Sequence, residues 1–223
     1  MTGKLFAQAM GKFLAGLILL GVLIFLPAGT LLFRSGWLLL EILFIPMFLA
    51  GIVLMIRSPE LLKKRLQADE KEPEQRQVIL LSGLMFLVSF VLAGLNFRFR
   101  WIVMPRWTVL AAAAVFLLAY LMYGEVLREN VYLSRTVEVQ ENQKVIDTGL
   151  YGVVRHPMYT ATVFLFLAMP LVLGSVISFV IILLYIPIMV KRIRNEERVL
   201  AEGLPGYREY MKKVKYRLIP FIW

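Results

Sequence analysis

Two short stretches of this 223-residue chain hold side chains able to act together. "RHPMY", Arg155 to Tyr159, contains its single histidine. "KRIRNEER", Lys191 to Arg198, sets two adjacent carboxylates among cations. Proline biases the residue before it towards extended backbone, so His156 should be extended. Proline also suits the first position of a helix, so Pro157 should open one. The free amides of that first turn, with Arg155, His156 and Tyr159, form a place for a carboxylate or phosphate. The same side chains also suit an interfacial belt at a membrane surface. In the second stretch Arg192 and Glu196 are four apart and share one helix face. Glu197 lies about 100° round from Glu196. These residues read either as a helix-surface ion pair or as one half of a polar site.

Other chemistry is excluded by what the chain lacks. It has no cysteine, which removes disulfides, thiolate ligands and cysteine nucleophiles together. One histidine and no cysteine leave no set of zinc ligands, and no metal is expected. There is no "GxxxxGK[ST]", "GxSxG", "HExxH" or "GxGxxG". Any cofactor therefore needs an unconventional site.

The elements that must position the two stretches are membrane helices. The chain is 60% hydrophobic with a mean hydropathy of +0.74, and its apolar residues come in blocks. Its net charge of +10 suits basic loops beside anionic lipid, and nucleic acid is not an expected partner. Charge-poor runs predict spans at Phe13–Phe33, Ser35–Ile56 (interrupted by Glu41), between Arg76 and Arg98, and at Trp107–Gly124. The first run is long enough to be an uncleaved helix rather than a signal peptide. The fifth run, His156 to Val190, would form a helix of roughly 52 Å, against a hydrocarbon core of about 30 Å. Pro170, Gly174 and Ser175 fall near its middle, so a helical hairpin is expected there. The fold class is thus all-α: a polytopic helical bundle of five hydrophobic blocks and about six crossings, with cytoplasmic C-terminal helices.

With a cytoplasmic N-terminus, 21 of the 25 Lys+Arg lie inside, and both termini and every long polar segment do too. The expected location is a plasma, inner or ER-type membrane. Residues 57–77 read as a solvated amphipathic loop without chemistry of its own. "RTVEVQ", from residue 135, alternates as a short extended piece. "GLPG" should end the last long helix, and a short helix should follow with Tyr207, Tyr210, Met211 and Val214 on one face. Residues 1–124 form the N-terminal transmembrane part and 125–223 the catalytic part. The hairpin would return Arg192, Glu196 and Glu197 beside His156 and Tyr159.

In order and spacing, "QKVIDTGLYGVVRHPMY", "NEERVL" and "GYREYMKKVKYRLIPF" resemble the isoprenylcysteine carboxyl methyltransferase family, itself similar to integral-membrane phospholipid methyltransferases. The resemblance covers roughly Arg135 to the C-terminus; the loop "AEGLPGY" departs from the eukaryotic pattern by one residue. It implies S-adenosyl-L-methionine as methyl donor at the cytoplasmic mouth of the last helices. The implied donor-binding residues are Gln143, Lys144, Val145, Ile146, Tyr151, His156, Pro157, Met158, Tyr159 and Glu196. Arg192 matches the arginine that faces the methyl acceptor, and Arg155 and Glu197 are possible additions. The implied acceptor is an amphiphilic or lipidated molecule with a carboxylate. An amine acceptor, as in a phospholipid N-methyltransferase, would need a base, with Glu197 or Tyr159 as candidates. A nicotinamide-dependent membrane reductase with related C-terminal helices and a non-catalytic membrane protein are the rival readings.

Overall fold

The computed structural model describes residues 2–66, 73–133 and 139–223. Every regular element among them is helical: α1 (Thr2–Ala28), α2 (Arg34–Arg57), α3 (Pro59–Leu66), α4 (Pro73–Phe99), α5 (Arg106–Glu129), α6 (Pro157–Val172), α7 (Val176–Ile182), α8 (Tyr185–Gly203) and α9 (Tyr207–Lys213). A membrane leaves no water for backbone groups, so an apolar run satisfies them internally as helix. Five helices are long and apolar enough to cross: Gly3–Ala28, Arg34–Arg57, Gln75–Phe99, Arg106–Glu129 and the joined Val176–Gly203. Pro157–Val172 is shorter, at about 24 Å, and forms the other arm of the hairpin. The first helix starts well before Phe13 and stops at Ala28, where Gly29 turns the chain with φ +70°.

The bundle closes around small residues. Ala112, Ala113 and Ala119 of α5 are buried in one core with Leu165, Ala168, Met169 and Val172 of α6. Gly94 lets α4 approach α1: a Cβ there would lie 2.6 Å from the carbonyl of Ile24. Small residues at crossings are the usual device for close packing between membrane helices.

The long fifth run breaks where its turn residues stand. Gly174 has φ +72°, and the Ser175 hydroxyl caps α7 by accepting from the Ser178 amide at 3.2 Å. Asn96 of α4 pins this tip, donating from Nδ2 to the carbonyls of Gly174 (3.3 Å) and Ile102 (3.0 Å). The return arm breaks again between α7 and α8. Pro187 cannot donate to Leu183 and crowds its carbonyl, which instead accepts from Ile186 at 3.1 Å. The returning α8 then carries Arg192, Glu196 and Glu197 past the start of α6.

One expectation changes in detail. Residues 57–66 are not merely solvated loop: α3 buries Leu61 and Leu62, and Lys64 donates to Gln140 Oε1 at 2.6 Å. Most of "RTVEVQ", residues 135–138, lies outside the described residues. "GLPG" ends α8 as expected, with Gly206 at φ +83°, and Tyr207, Tyr210 and Val214 of the following segment are buried together.

Candidate active site

His156 caps α6 without a side-chain capping bond, at φ −126° and ψ 61°, and Pro157 holds the first helical position. The C-terminal tail returns to this corner and takes the backbone donors preceding the helix. Arg155 N donates to Tyr216 O and His156 N to Arg217 O, each at 2.9 Å. The tail is held further by the Tyr210 hydroxyl, which donates to Tyr151 O at 2.8 Å.

Beneath this corner, Glu197 is buried among three basic side chains. Arg155 Nε lies 2.7 Å from its Oε1, Arg217 Nε 2.8 Å from its Oε2, and His156 Nε2 3.3 Å from Oε1. Arg155 also donates from Nη1 to the carbonyls of Val214 (2.7 Å) and Lys215 (2.9 Å). A buried carboxylate needs such complete pairing, because desolvation otherwise costs several kcal/mol. The network ties three separate stretches together: the turn before α6, the middle of α8 and the tail.

Glu196, one residue earlier, points differently. Its Oε2 accepts from the Tyr159 hydroxyl, and His156 Nδ1 lies 4.0 Å from its Oε1. The imidazole is stacked on Tyr159, with ring centroids 5.6 Å apart. Both ring nitrogens of His156 thus face carboxylates of this chain, Nε2 within hydrogen-bond distance of Glu197 and Nδ1 beyond it from Glu196. Arg192 Nε donates to the same Tyr159 hydroxyl at 2.9 Å, and its guanidinium lies over the Tyr159 ring at 5.6 Å. The i,i+4 pair read from the sequence is therefore bridged by a tyrosine from the opposite arm.

One contact had no sequence signal. Gln75 of α4, fully buried, accepts from Arg192 Nη1 at 3.0 Å and donates to the Arg192 carbonyl at 3.3 Å. It lies at the end of a segment read as solvated. Only tertiary packing brings it to α8.

Two cavities meet at Tyr159. A small polar cleft of about 100 Å³ is lined by Gln143, Lys144, Val145, Ile146, Tyr151, Arg155, His156, Met158, Tyr159 and Glu196. Asn130, Tyr132, Tyr207 and Tyr210 also line it, and the sequence reading had not included them. A larger, mainly apolar cavity of about 590 Å³ opens among α2, α4, α5, α6 and α8. Arg192 and Arg65 line it, along with Met158 and Tyr159, which belong to both walls. Arg65 lies over the Tyr123 ring at 5.5 Å, with Nη1 3.7 Å from Met158 Sδ. Pro157 is buried behind the cleft rather than in its wall, and Glu197 likewise stands behind it.

The cleft contains an unfinished polar site. The Tyr207 hydroxyl is buried without a hydrogen-bond partner. Burial foremost, helped by the nearby Glu196 and Glu197 charges, pushes its phenol up, so it remains a neutral donor. A buried donor left unpaired costs about 1–3 kcal/mol, which a polar ligand in the cleft would recover. Hydroxyl, ammonium and aromatic groups of a nucleoside-type ligand fit this wall of tyrosines, asparagine and carboxylate.

Comparison with known proteins bears on this same region. Residues 109–202 match the model of the Isoprenylcysteine carboxyl methyltransferase (ICMT) family. The match begins earlier than the residue resemblance, within α5, and ends before the "GLPG" loop. A mouse (Mus musculus) protein, Delta(14)-sterol reductase TM7SF2, is 29% identical over 91 residues. That similarity covers 40% of this chain and 22% of the mouse protein. Residues 109–202, which carry both "RHPMY" and "KRIRNEER", are thus the part of the chain that is similar to the isoprenylcysteine carboxyl methyltransferase family.

Proposed function

We propose that the protein is an S-adenosyl-L-methionine-dependent methyltransferase that methylates a carboxylate on a lipid-like acceptor at the cytoplasmic membrane face. One observation carries the reading: a polar cleft and an apolar cavity share the wall formed by Met158 and Tyr159. Glu196 stands on the cleft side and Arg192 on the cavity side, joined through the Tyr159 hydroxyl. Such a wall suits two reactants of opposite solubility, one from the cytoplasm and one from the bilayer.

When bound, the donor supplies an electrophilic methyl group on a sulfonium. Glu196 and the Tyr207 hydroxyl are suited to its hydroxyl and ammonium groups, and the first-turn amides of α6 to its carboxylate. At about 100 Å³ the cleft is smaller than the ~300 Å³ or more typical of ligand pockets, so loading widens it. Arg192 offers a fork of donors to an acceptor carboxylate, and Gln75 fixes its orientation. The apolar walls exclude water from the acceptor. No general base is required, because a carboxylate is ionised at neutral pH. The pairing of Glu197 supports this choice over an amine acceptor. That carboxylate already accepts from Arg155 and Arg217 and faces His156, leaving it poorly placed to take a proton.

The sterol reductase similarity favours a second reading, reduction with a nicotinamide cofactor. Calorimetry on the purified protein separates the two. S-adenosyl-L-methionine should bind the wild type, with binding lowered about tenfold or more in Glu196→Ala. NADPH should give no heat. Binding of NADPH alone, or donor binding unchanged in Glu196→Ala and His156→Ala, would reject the methyltransferase reading. Methyl-labelled donor added to native membranes would then identify the acceptor.

A further inference from the structure

On the face of α8 turned away from the cleft, Lys191, Arg194 and Arg198 form a stripe at successive helical turns, and all three are exposed. The stripe lines a separate groove of about 350 Å³ with Pro187, Val190 and Asn195. Towards the bilayer the same arm is apolar: Leu183 and Leu184, in the break before α8, and Ile186 at its start are exposed. The change from apolar to basic is the pattern expected at headgroup depth.

A second feature distinguishes this groove from a general basic belt. Asn195 is 3% exposed, and its Nδ2 has no hydrogen-bond partner. Its Oδ1 accepts from Arg198 Nη2 at 2.5 Å, which fixes the amide with its donor edge unsatisfied. A lone buried donor beneath cations calls for an acceptor-rich anion. Lys191 is oriented by Gln77 of α4, to which its Nζ donates at 3.0 Å. We infer that this groove binds the phosphate of an anionic phospholipid, whose acyl chains lie along the apolar surface above Pro187. Charge complementarity and the depth of the stripe favour a membrane lipid over a soluble anion. This site is independent of the methyl-transfer reading, since none of its lining residues lines the cleft or the apolar cavity.

The test uses the full chain purified in detergent and native mass spectrometry. Short-chain phosphatidylglycerol and phosphatidylcholine are added separately, and inorganic phosphate is added as competitor. Phosphatidylglycerol adducts should exceed phosphatidylcholine adducts about tenfold or more, because each cation near a lipid headgroup contributes a factor of about five. The Arg194→Gln/Arg198→Gln variant should lose that preference, and Asn195→Leu should weaken it. The Lys212→Gln/Lys215→Gln variant removes the same charge from exposed tail positions and should keep it. Equal loss in both double variants would reduce the effect to net charge and overturn the site. Equal retention of the two lipids would overturn it as well. Competition by inorganic phosphate at concentrations matching the lipid would mean a free-anion site and would overturn the lipid assignment. Arg194 and Arg198 are surface residues, so their exchange for glutamine tests the groove without relying on a buried change.

Discussion

At the scale of single residues, the Tyr207 hydroxyl makes an unusual demand. It is buried in the cleft wall with no partner, while the neighbouring Tyr210 and Tyr151 hydroxyls each have one. Removing it should have opposite effects on folding and on binding. Tyr207→Phe deletes an unsatisfied polar group, so thermal stability should hold or rise by about 1 kcal/mol. The same change should weaken S-adenosyl-L-methionine about fivefold to tenfold, if the hydroxyl completes its bonding on that ligand. Calorimetry and thermal unfolding of one purified variant check both arms; a stability loss with unchanged affinity would assign Tyr207 to packing alone. Its pKa adds a further constraint. Burial holds the phenol protonated above its ordinary value of about 10, so affinity should show no alkaline loss from Tyr207 between pH 7 and about 10.

At the scale of elements, Glu197 is the fastening between the hairpin and the tail. It joins the turn before α6 to α8 and to Arg217 near the C-terminus. Glu197→Ala would leave Arg155 buried without its carboxylate, at a cost of about 3–5 kcal/mol. The melting temperature in detergent should fall by about 10 °C. Replacing Glu197 and Arg155 together by apolar residues should recover part of that loss, because no buried charge is then stranded. A single variant with unchanged melting would show the network to be dispensable. This fastening was only half legible in the sequence. The hairpin followed from Pro170, Gly174 and Ser175 in a run too long for one crossing, and that placed Glu196 and Glu197 beside His156. The resemblance singled out Glu196, but helix geometry alone did not, because adjacent helix positions differ by about 100° and the tail decides which side is covered. The roles of Gln75 and Tyr207 were invisible for a related reason. They arise from α4 and α9 packing on α8; periodicity put Tyr207 on one face of a short helix without showing that this face lines a cleft, and nothing periodic marks Gln75. The connector before Gly149 was legible through its motif, since Gln143 to Ile146 carry no pattern that would otherwise single them out.

At the scale of the whole molecule, the proposed methyl transfer requires one orientation in the membrane. The cleft and the basic stripe both lie at the end of the bundle that collects most of the charge, while the hairpin tip at Gly174 and the α4–α5 turn lie at the other. A soluble donor present only in the cytoplasm can reach the cleft only if that charged end faces inward. The absence of cysteine makes this directly measurable, since any introduced thiol is the sole reactive one. Val103 is 76% exposed in the α4–α5 turn, and Glu209 is exposed on α9 beside the tail. A membrane-impermeant maleimide should label Val103→Cys in intact cells and label Glu209→Cys only after permeabilisation. The reverse pattern would put the cleft outside the cell and remove its access to a cytoplasmic methyl donor. It would also place the stripe of Lys191, Arg194 and Arg198 in the outer leaflet, against the distribution of positive charge that otherwise sets helix orientation.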